Sequence, residues 1–332
     1  MTRLRHSDPS AAGWTRRRSG TGFSFRDLDG QTIRGEDRER CLALAIPPAW
    51  TEVWICPWPN GHIQAVGTDA AGRRQYLYHQ AWRERRDRLK FDRMLEFGAA
   101  LPAARRTVAD HLALSGMPRE RALAVGFRLM DDAGLRVGGE AYARDNGSSG
   151  VATLRREHAS TSGDDVRIQF AGKSGREHDL TICDPELAAA VHTLLARRAG
   201  GPELLAFRAD DDTWRDLTSA DINDYVREVM GAEVTAKDFR TWRGVVGALE
   251  HLSAGGADPS KAAVAEAMRE VADRLGNTPA VARSAYVDPR IVERYLTGED
   301  LPAPGPRRRR TTATGLSEWE EALLGLLRDM AE

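Results

Sequence analysis

The hydrophobic period of this chain changes near His79, and that change constrains the fold more than any other feature. Before it, short β-rich runs (Gly22-Phe23-Ser24-Phe25, Val53-Trp54-Ile55, His62-Ile63-Gln64-Ala65-Val66 and Gln75-Tyr76-Leu77-Tyr78) are punctuated by Asp29-Gly30, Asn60-Gly61 and Gly72. Asn-Gly between two strand-like runs is the strongest short-range hairpin signal. Glu36 to Ala45 reads as one short helix, ended by Pro47-Pro48. After His79 the period is helical, over Trp82 to Gly98, Pro102 to Ser115 and Pro118 to Asp132, with proline near the first helical position. Period two returns only between about 150 and 182, where Val166 to Phe170 and Glu177 to Ile182 flank Gly172-Lys173-Ser174-Gly175 as a hairpin. Segregated strand-rich and helix-rich parts predict an α+β fold: a small β-rich N-terminal domain and a larger, mostly helical domain carrying one hairpin.

Charge follows the same division. The 332 residues hold 48 Lys+Arg and 49 Asp+Glu, a net of −1. Residues 1–90 hold 16 Lys+Arg against 10 Asp+Glu, a net of +6, so the remainder carries 32 against 39, a net of −7. The spacing predicts a disordered basic N-terminus over 1–20, a β-rich domain over 21–88 and a helical domain over 89–300. A basic linker over 301–315, containing Arg307-Arg308-Arg309-Arg310, and a C-terminal amphipathic helix over 316–332 complete the chain. That last helix places Leu316, Trp319, Leu323, Leu326, Leu327 and Met330 on one stripe. Helix starts are marked by Asp184-Pro185 and Asp258-Pro259, and by Thr218-x-x-Asp221 and Thr235-x-x-Asp238 as capping boxes with a shorter acid.

Several classes are excluded. No run approaches the roughly 18 apolar residues of a membrane helix, and Met1-Thr2-Arg3 starts no signal peptide. Cys41, Cys56 and Cys183 form neither a disulfide framework nor a CxxC pair, so a reduced, cytoplasmic protein is expected. Gly172-Lys173-Ser174 is not a P-loop, because Arg167 stands where the first glycine is needed and the flanks are strands. The eight histidines contain no HExxH pair, and Asp210-Asp211-Asp212 lacks calcium-loop spacing and reads as an exposed acidic turn. No GxSxG elbow supports a serine hydrolase.

Four segments remain. Arg136 stands before Gly138-Gly139, Lys173 at the hairpin tip, Lys237-x-x-Arg240 on one helix face, and Asn277 and Tyr286 close together. Each has an ordinary reading alone: a helix-terminal arginine, a solvated turn lysine, an ion pair with Asp238, an N-cap, a half-buried tyrosine. Together they share a chemistry. Arginines bind the non-bridging oxygens of a phosphodiester, an amide donates to the same oxygens, a lysine protonates a departing alkoxide, and a tyrosine attacks phosphorus. Free tyrosine has a pKa of about 10, and fixed cations around it favour its ionisation.

The order Arg136, Lys173, Lys237-x-x-Arg240, Asn277, Tyr286 resembles the type IB DNA topoisomerases, in particular the short, poxvirus-like bacterial ones. The similarity runs over about residues 20–300. It includes Pro48-Ala49-Trp50, Asn60 to Ala65 and Gly72-Arg73-Arg74-Gln75-Tyr76-Leu77-Tyr78-His79. The resemblance implies a β-rich DNA-binding domain and a helical catalytic domain that clamp duplex DNA as a monomer, in the bacterial cytoplasm and nucleoid. It implies ATP-independent relaxation of supercoils through a 3′-phosphotyrosyl link, with no cofactor and no required divalent metal.

By position, the resemblance makes Tyr286 the nucleophile and gives Arg136 and Arg240 the phosphorane oxygens. Lys173, assisted by Lys237, becomes the acid for the 5′-oxygen. Asn277 stands where poxviral relatives have histidine, and its role would be oxygen stabilisation. Gln75, Tyr76 and Tyr78 match positions that touch DNA in the major groove, and Arg73 and Arg74 suit phosphates. Of only four lysines, two fall at the acid positions, where arginine is too weak an acid to serve. A tyrosine recombinase would use the same chemistry but usually carries His-x-x-Arg where Lys237-x-x-Arg240 stands. A DNA-binding protein that has lost activity is the non-enzymatic alternative.

Overall fold

A computed structural model describes residues 3–140, 143, 147–172, 175–231, 233–254, 259–304 and 315–331. Lys173, Asp258 and the Arg307 to Arg310 run of the expected linker lie outside them. The described chain forms two compact units, Met1–Phe91 and Asp92–Glu332, and the fold is α+β.

The first unit is an antiparallel sheet of β1 (Trp14–Ser19), β2 (Gly22–Arg26), β3 (Thr51–Ile55), β4 (Ile63–Thr68) and β5 (Arg74–Tyr78), in the order β2-β1-β3-β4-β5. Helix α1 (Gly35–Ala43) packs its Cys41 into a core of Trp14, Phe25, Ile33, Ile46, Val53, Ile55 and Ala65.

The expected disorder over 1–20 is corrected here, because β1 pairs with both β2 and β3. Ahead of β1, the Ser7 N–H donates to His62 Nδ1 (2.9 Å) and its hydroxyl to the Ile63 carbonyl (3.0 Å). Arginines 16 to 18 hide the alternation that Trp14, which is buried, begins. Asn60-Gly61 also works differently from a two-residue turn, since β3 and β4 pair across the seven residues from 56 to 62. Gly61 is needed there for space: a Cβ would collide with Cys56 Sγ and lie 2.6 Å from Ser7 Oγ.

The second unit is mostly helical. Helix α2 (Gln80–Leu112), which begins in the first unit's stretch of chain, runs through Pro102, where a break was expected. A proline inside a helix costs about 3 kcal/mol. Phe97, Leu101, Ala104 and Val108 are all buried around it, and each fully buried large apolar side chain offsets roughly 1.5–3 kcal/mol. Helix α3 (Arg119–Ala133) follows and ends at Gly134, whose φ of 60° closes the helix in the left-handed region.

A three-stranded antiparallel sheet of β6 (Ala159–Ser162), β7 (Asp165–Ala171) and β8 (Glu177–Cys183) contains the expected hairpin, with β6 as an added edge strand. Then come α4 (Pro185–Ala196), the pair β9 (Ala206–Arg208) and β10 (Trp214–Asp216), α5 (Ser219–Met230), α6 (Ala236–Ala254), α7 (Lys261–Leu275), α8 (Pro279–Ala285), α9 (Pro289–Leu296) and α10 (Glu318–Asp329).

Asp184 caps α4 and Thr218 with Asp221 boxes α5, as the sequence predicts. Asp238 accepts from the backbone N–H of Thr235 (2.8 Å) at the start of α6. The cap of α7 is Ser260, whose hydroxyl accepts from the Ala263 N–H (3.1 Å). Phe239 on α6 meets Phe127 of α3 and Phe97 of α2 edge-to-face, at 5.0 and 5.1 Å between ring centroids. These contacts lock α6 in the centre of the unit.

Candidate active site

Helix α6 organises the site. Arg240, its fifth residue, is 2% exposed and spends its guanidinium on three partners. Nη1 donates to the carbonyl of Gly134 at the end of α3, and Nη2 to that of Leu275 at the end of α7 (2.6 Å). Both carbonyls are among the unpaired acceptors that a helix leaves at its C-terminus. Nε faces the Tyr286 oxygen at 3.3 Å, and the guanidinium carbon lies 4.9 Å from the centre of the tyrosine ring. One arginine thus joins the ends of two helices and the phenol.

Tyr286 follows α8 and is buried. Its backbone lies against α6 one turn beyond Arg240, at Gly244, where a Cβ would come within 2.8 Å of the tyrosine Cβ. Any side chain at 244 would push the tyrosine away. Burial raises the phenol pKa, but the charges of Arg240, Arg136 and Lys237 and the Arg240 hydrogen bond outweigh it, so the net displacement is downward.

Arg136 lies in the extended segment after Gly134, beyond the helix end where it was expected to sit. That segment is fixed by the Val151 N–H to the Arg136 carbonyl (2.9 Å) and the Ala152 N–H to the Val137 carbonyl (2.7 Å). Its Nη2 donates to Asn277 Oδ1 at 2.7 Å. A guanidinium only donates, so this bond fixes the orientation of the amide. Asn277 Nδ2 is then left buried without a partner among the described residues. Leaving such a donor unpaired costs about 1–3 kcal/mol, which marks it as a group awaiting an acceptor. Asn277 is not the helix cap, since Thr278 accepts from the Val281 N–H in that role.

Lys237 is exposed on the first turn of α6, and the carboxylate of Asp238 serves Thr235 rather than the lysine. The hairpin tip is closed by the Gly172 N–H to the Arg176 carbonyl (2.8 Å), on either side of the position of Lys173. Arg176 donates to the Asn277 carbonyl and to Asp273 Oδ1 (2.8 Å), tying the hairpin to the end of α7.

Sequence reasoning missed three contributors: Gly244, Arg176 and His178. The last is a buried histidine on β8 between exposed Glu177 and Asp179, and that alternation was its one signal. Burial and the charges of Arg136, Arg240 and Arg176 lower its pKa to about 4.

The structure gathers Arg136, Arg240, Asn277 and Tyr286, with Lys237 beside them. A cavity of about 520 Å³ between β8, α6 and α7 includes none of these four in its lining. Its Arg274 is paired with Glu250 (2.6 Å) and its Arg243 lies 3.5 Å from Asp132. Among the described residues no cluster of His, Cys, Asp or Glu could hold a metal ion, and no helix is long and apolar enough to cross a membrane.

In the first unit the five residues expected at DNA are split between faces. Arg74, Tyr76 and Tyr78 are exposed on one face of β5, and the two tyrosine rings stack at 6.1 Å. Gln75 points to the other face, where it and Arg73 both donate to Asp69 (2.9 and 3.0 Å). With the Arg73 backbone N–H as the largest cause, these bonds bring the Asp69 carboxyl down to about 2.

Residues 79–297 match the family model described as eukaryotic DNA topoisomerase I, catalytic core, and residues 22–69 that of the bacterial DNA topoisomerase IB N-terminal domain. The chain is 30% identical over 301 residues to a DNA topoisomerase 1B of Acanthamoeba polyphaga mimivirus, covering 87% of this chain and 89% of the relative. It is 23% identical to DNA topoisomerase 1 of rabbit fibroma virus (70% and 71% covered) and to DNA topoisomerase 1B of vaccinia virus strain Copenhagen (69% and 71%). With two family models matching in the right order and a relative aligned nearly end to end, the chain belongs to the type IB DNA topoisomerases, isomerases that relax DNA through a covalent tyrosine intermediate.

Proposed function

We propose that Tyr286 is the residue that cuts and rejoins the DNA strand. Its oxygen attacks a backbone phosphate, forming the tyrosine O–P bond as the bond from phosphorus to the 5′-oxygen breaks. The phenolic proton passes to solvent, and Lys173, assisted by Lys237, gives a proton to the departing 5′-oxygen. The product is a 3′-phosphotyrosine and a free 5′-hydroxyl. The broken strand rotates, and the hydroxyl then reverses the step. Because the phosphotyrosine retains the bond energy, ATP is not consumed.

Arg136, Arg240 and the free amide of Asn277 stabilise the charge that builds on the non-bridging oxygens. Fixed cations and donors supply what a metal ion would, so divalent metal is not required. The carrying observation is the Tyr286 oxygen beside Arg240, with the charge of Arg136, itself bonded to Asn277, acting on the same phenol.

We take residues 21–88 as the part of the DNA-binding domain foreseen from the sequence, extended here to include β1, and Arg74, Tyr76 and Tyr78 as its exposed DNA contacts. Action as a monomeric clamp on nucleoid DNA in the cytoplasm completes the reading. The test is incubation with supercoiled plasmid in EDTA without ATP. Relaxation is expected, and Tyr286→Phe should abolish it while leaving duplex binding nearly intact. A requirement for ATP or magnesium, or relaxation by the phenylalanine variant, would overturn the reading.

A further inference from the structure

The hairpin and the turn that carries Asn277 meet at one side chain. His178 faces Phe170 across β7 and β8, the two being register partners, and the rings stack 4.8 Å apart with 8° between planes. The imidazole occupies space that two glycines leave open. At Gly172, just before the hairpin tip, a Cβ would lie 2.6 Å from His178 Cδ2. At Gly276, just before Asn277, a Cβ would collide with His178 Cε1 and lie 2.8 Å from Nε2. Gly276 has φ of +61° and ends α7, so the turn that presents Asn277 begins against this ring. No hydrogen bond of the imidazole appears among the described residues, and the groups facing it are the cations Arg136, Arg176 and Arg240. Among the described residues the imidazole is held by contact, on the path between hairpin and site.

We propose that His178 is a positioning residue for strand cleavage: as a neutral ring wedged between Gly172 and Gly276, it holds the Gly276-Asn277 turn in register with Arg136. The inference rests on the Tyr286 reading above, which places Asn277 at the phosphate. Without the ring the turn loses its support from β8, and Asn277 drifts from the position in which its free amide meets a phosphate oxygen. A displacement of about 1 Å in such a group can cost up to about 100-fold in rate.

The test is single-turnover cleavage of a duplex by the full chain carrying His178→Ala, Asn277→Ala, both, or His178→Phe. Duplex affinity and thermal unfolding are measured alongside. His178→Ala is expected to slow cleavage by about 10- to 100-fold with duplex affinity little changed. It should add no further loss when Asn277 is already alanine, because both changes remove one effect. His178→Phe, which keeps a flat neutral ring, should restore most of the rate.

Losses that multiply in the double variant would show that His178 does not act through Asn277. A phenylalanine variant as slow as the alanine one would show that a ring nitrogen is needed; either result overturns the proposal. If His178→Ala does not fold, His178→Leu takes its place in the same cycle. Cleavage surviving Tyr286→Phe would instead sink the reading of the site itself, so the two failures are told apart.

Discussion

Arg240 and His178 show how much a single buried side chain can decide. Arg240 is buried with no carboxylate partner among the described residues; helix-end carbonyls and a phenol oxygen satisfy it instead. Its charge is therefore not neutralised and acts on Tyr286. His178 is the opposite case, kept uncharged by burial and by the arginines around it. Its pKa is about 4 in the fold against 6.5 free. Between these values the unfolded chain takes up a proton that the folded chain refuses, so stability falls as pH drops from 6.5 toward 4. His178→Phe lacks this titration, so its unfolding midpoint should fall less than that of the wild type across this window. Parallel melting curves at several pH values check this.

At the scale of elements, α10 braces α6. Ser317 and Glu320 form a capping box at the start of α10, and Leu323, Leu324, Leu326 and Leu327 are buried. Glu320 is itself buried, accepting from Arg105 Nη1 and Nη2 (both 2.8 Å) and from Trp242 Nε1 (3.1 Å). Trp242 lies two residues beyond Arg240 on α6, so the carboxylate joins α10 to the helix that organises the site. Arg105 also grips Asp131 at 2.7 and 2.9 Å.

Burial alone would raise the Glu320 pKa, but Arg105 prevails and holds it at about 2. A lowered carboxylate stabilises the fold above its free pKa of 4.5 and loses that contribution as pH falls toward 2. Glu320→Gln breaks a buried pair and should cost about 3 kcal/mol, read by urea unfolding at neutral pH. The difference from wild type should shrink on acidification. The apolar stripe of this helix was legible in the sequence, whereas its partner was not. Nothing local distinguishes Glu320 from the exposed glutamates expected in a first helical turn.

At the scale of the molecule, a net charge of −1 conceals +6 in residues 1–90 and −7 in the rest. Bulk attraction to a polyanion is therefore confined to the first unit, and the second must bind phosphate through a few placed cations. The β5 strand sharpens this. Arg74 is exposed beside Tyr76 and Tyr78 and forms no ion pair among the described residues, while Arg73 is paired with Asp69 at 2.9 Å. Arg74→Ala should weaken duplex binding and reduce the slope of log affinity against log salt by about one. Arg73→Ala should change both less, because its charge is already met. Salt titrations of DNA binding with Tyr286→Phe as the background measure the two slopes, and equal effects would refute the assignment.

The sequence by itself determined the α+β division, the hairpin, most helix starts and which residue types were worth seeking in one site. These depend on local periodicity, capping chemistry and an ordered set of residue types. Tertiary structure alone decided that residues 14–19 form a strand and that α2 passes through Pro102. It also decided that Arg240 joins two helix ends to Tyr286, that the Asn277 amide is unpaired among the described residues, and that His178 fills the space left by Gly172 and Gly276. Most of these depend on burial and on partners far away in the chain, which local pattern does not encode.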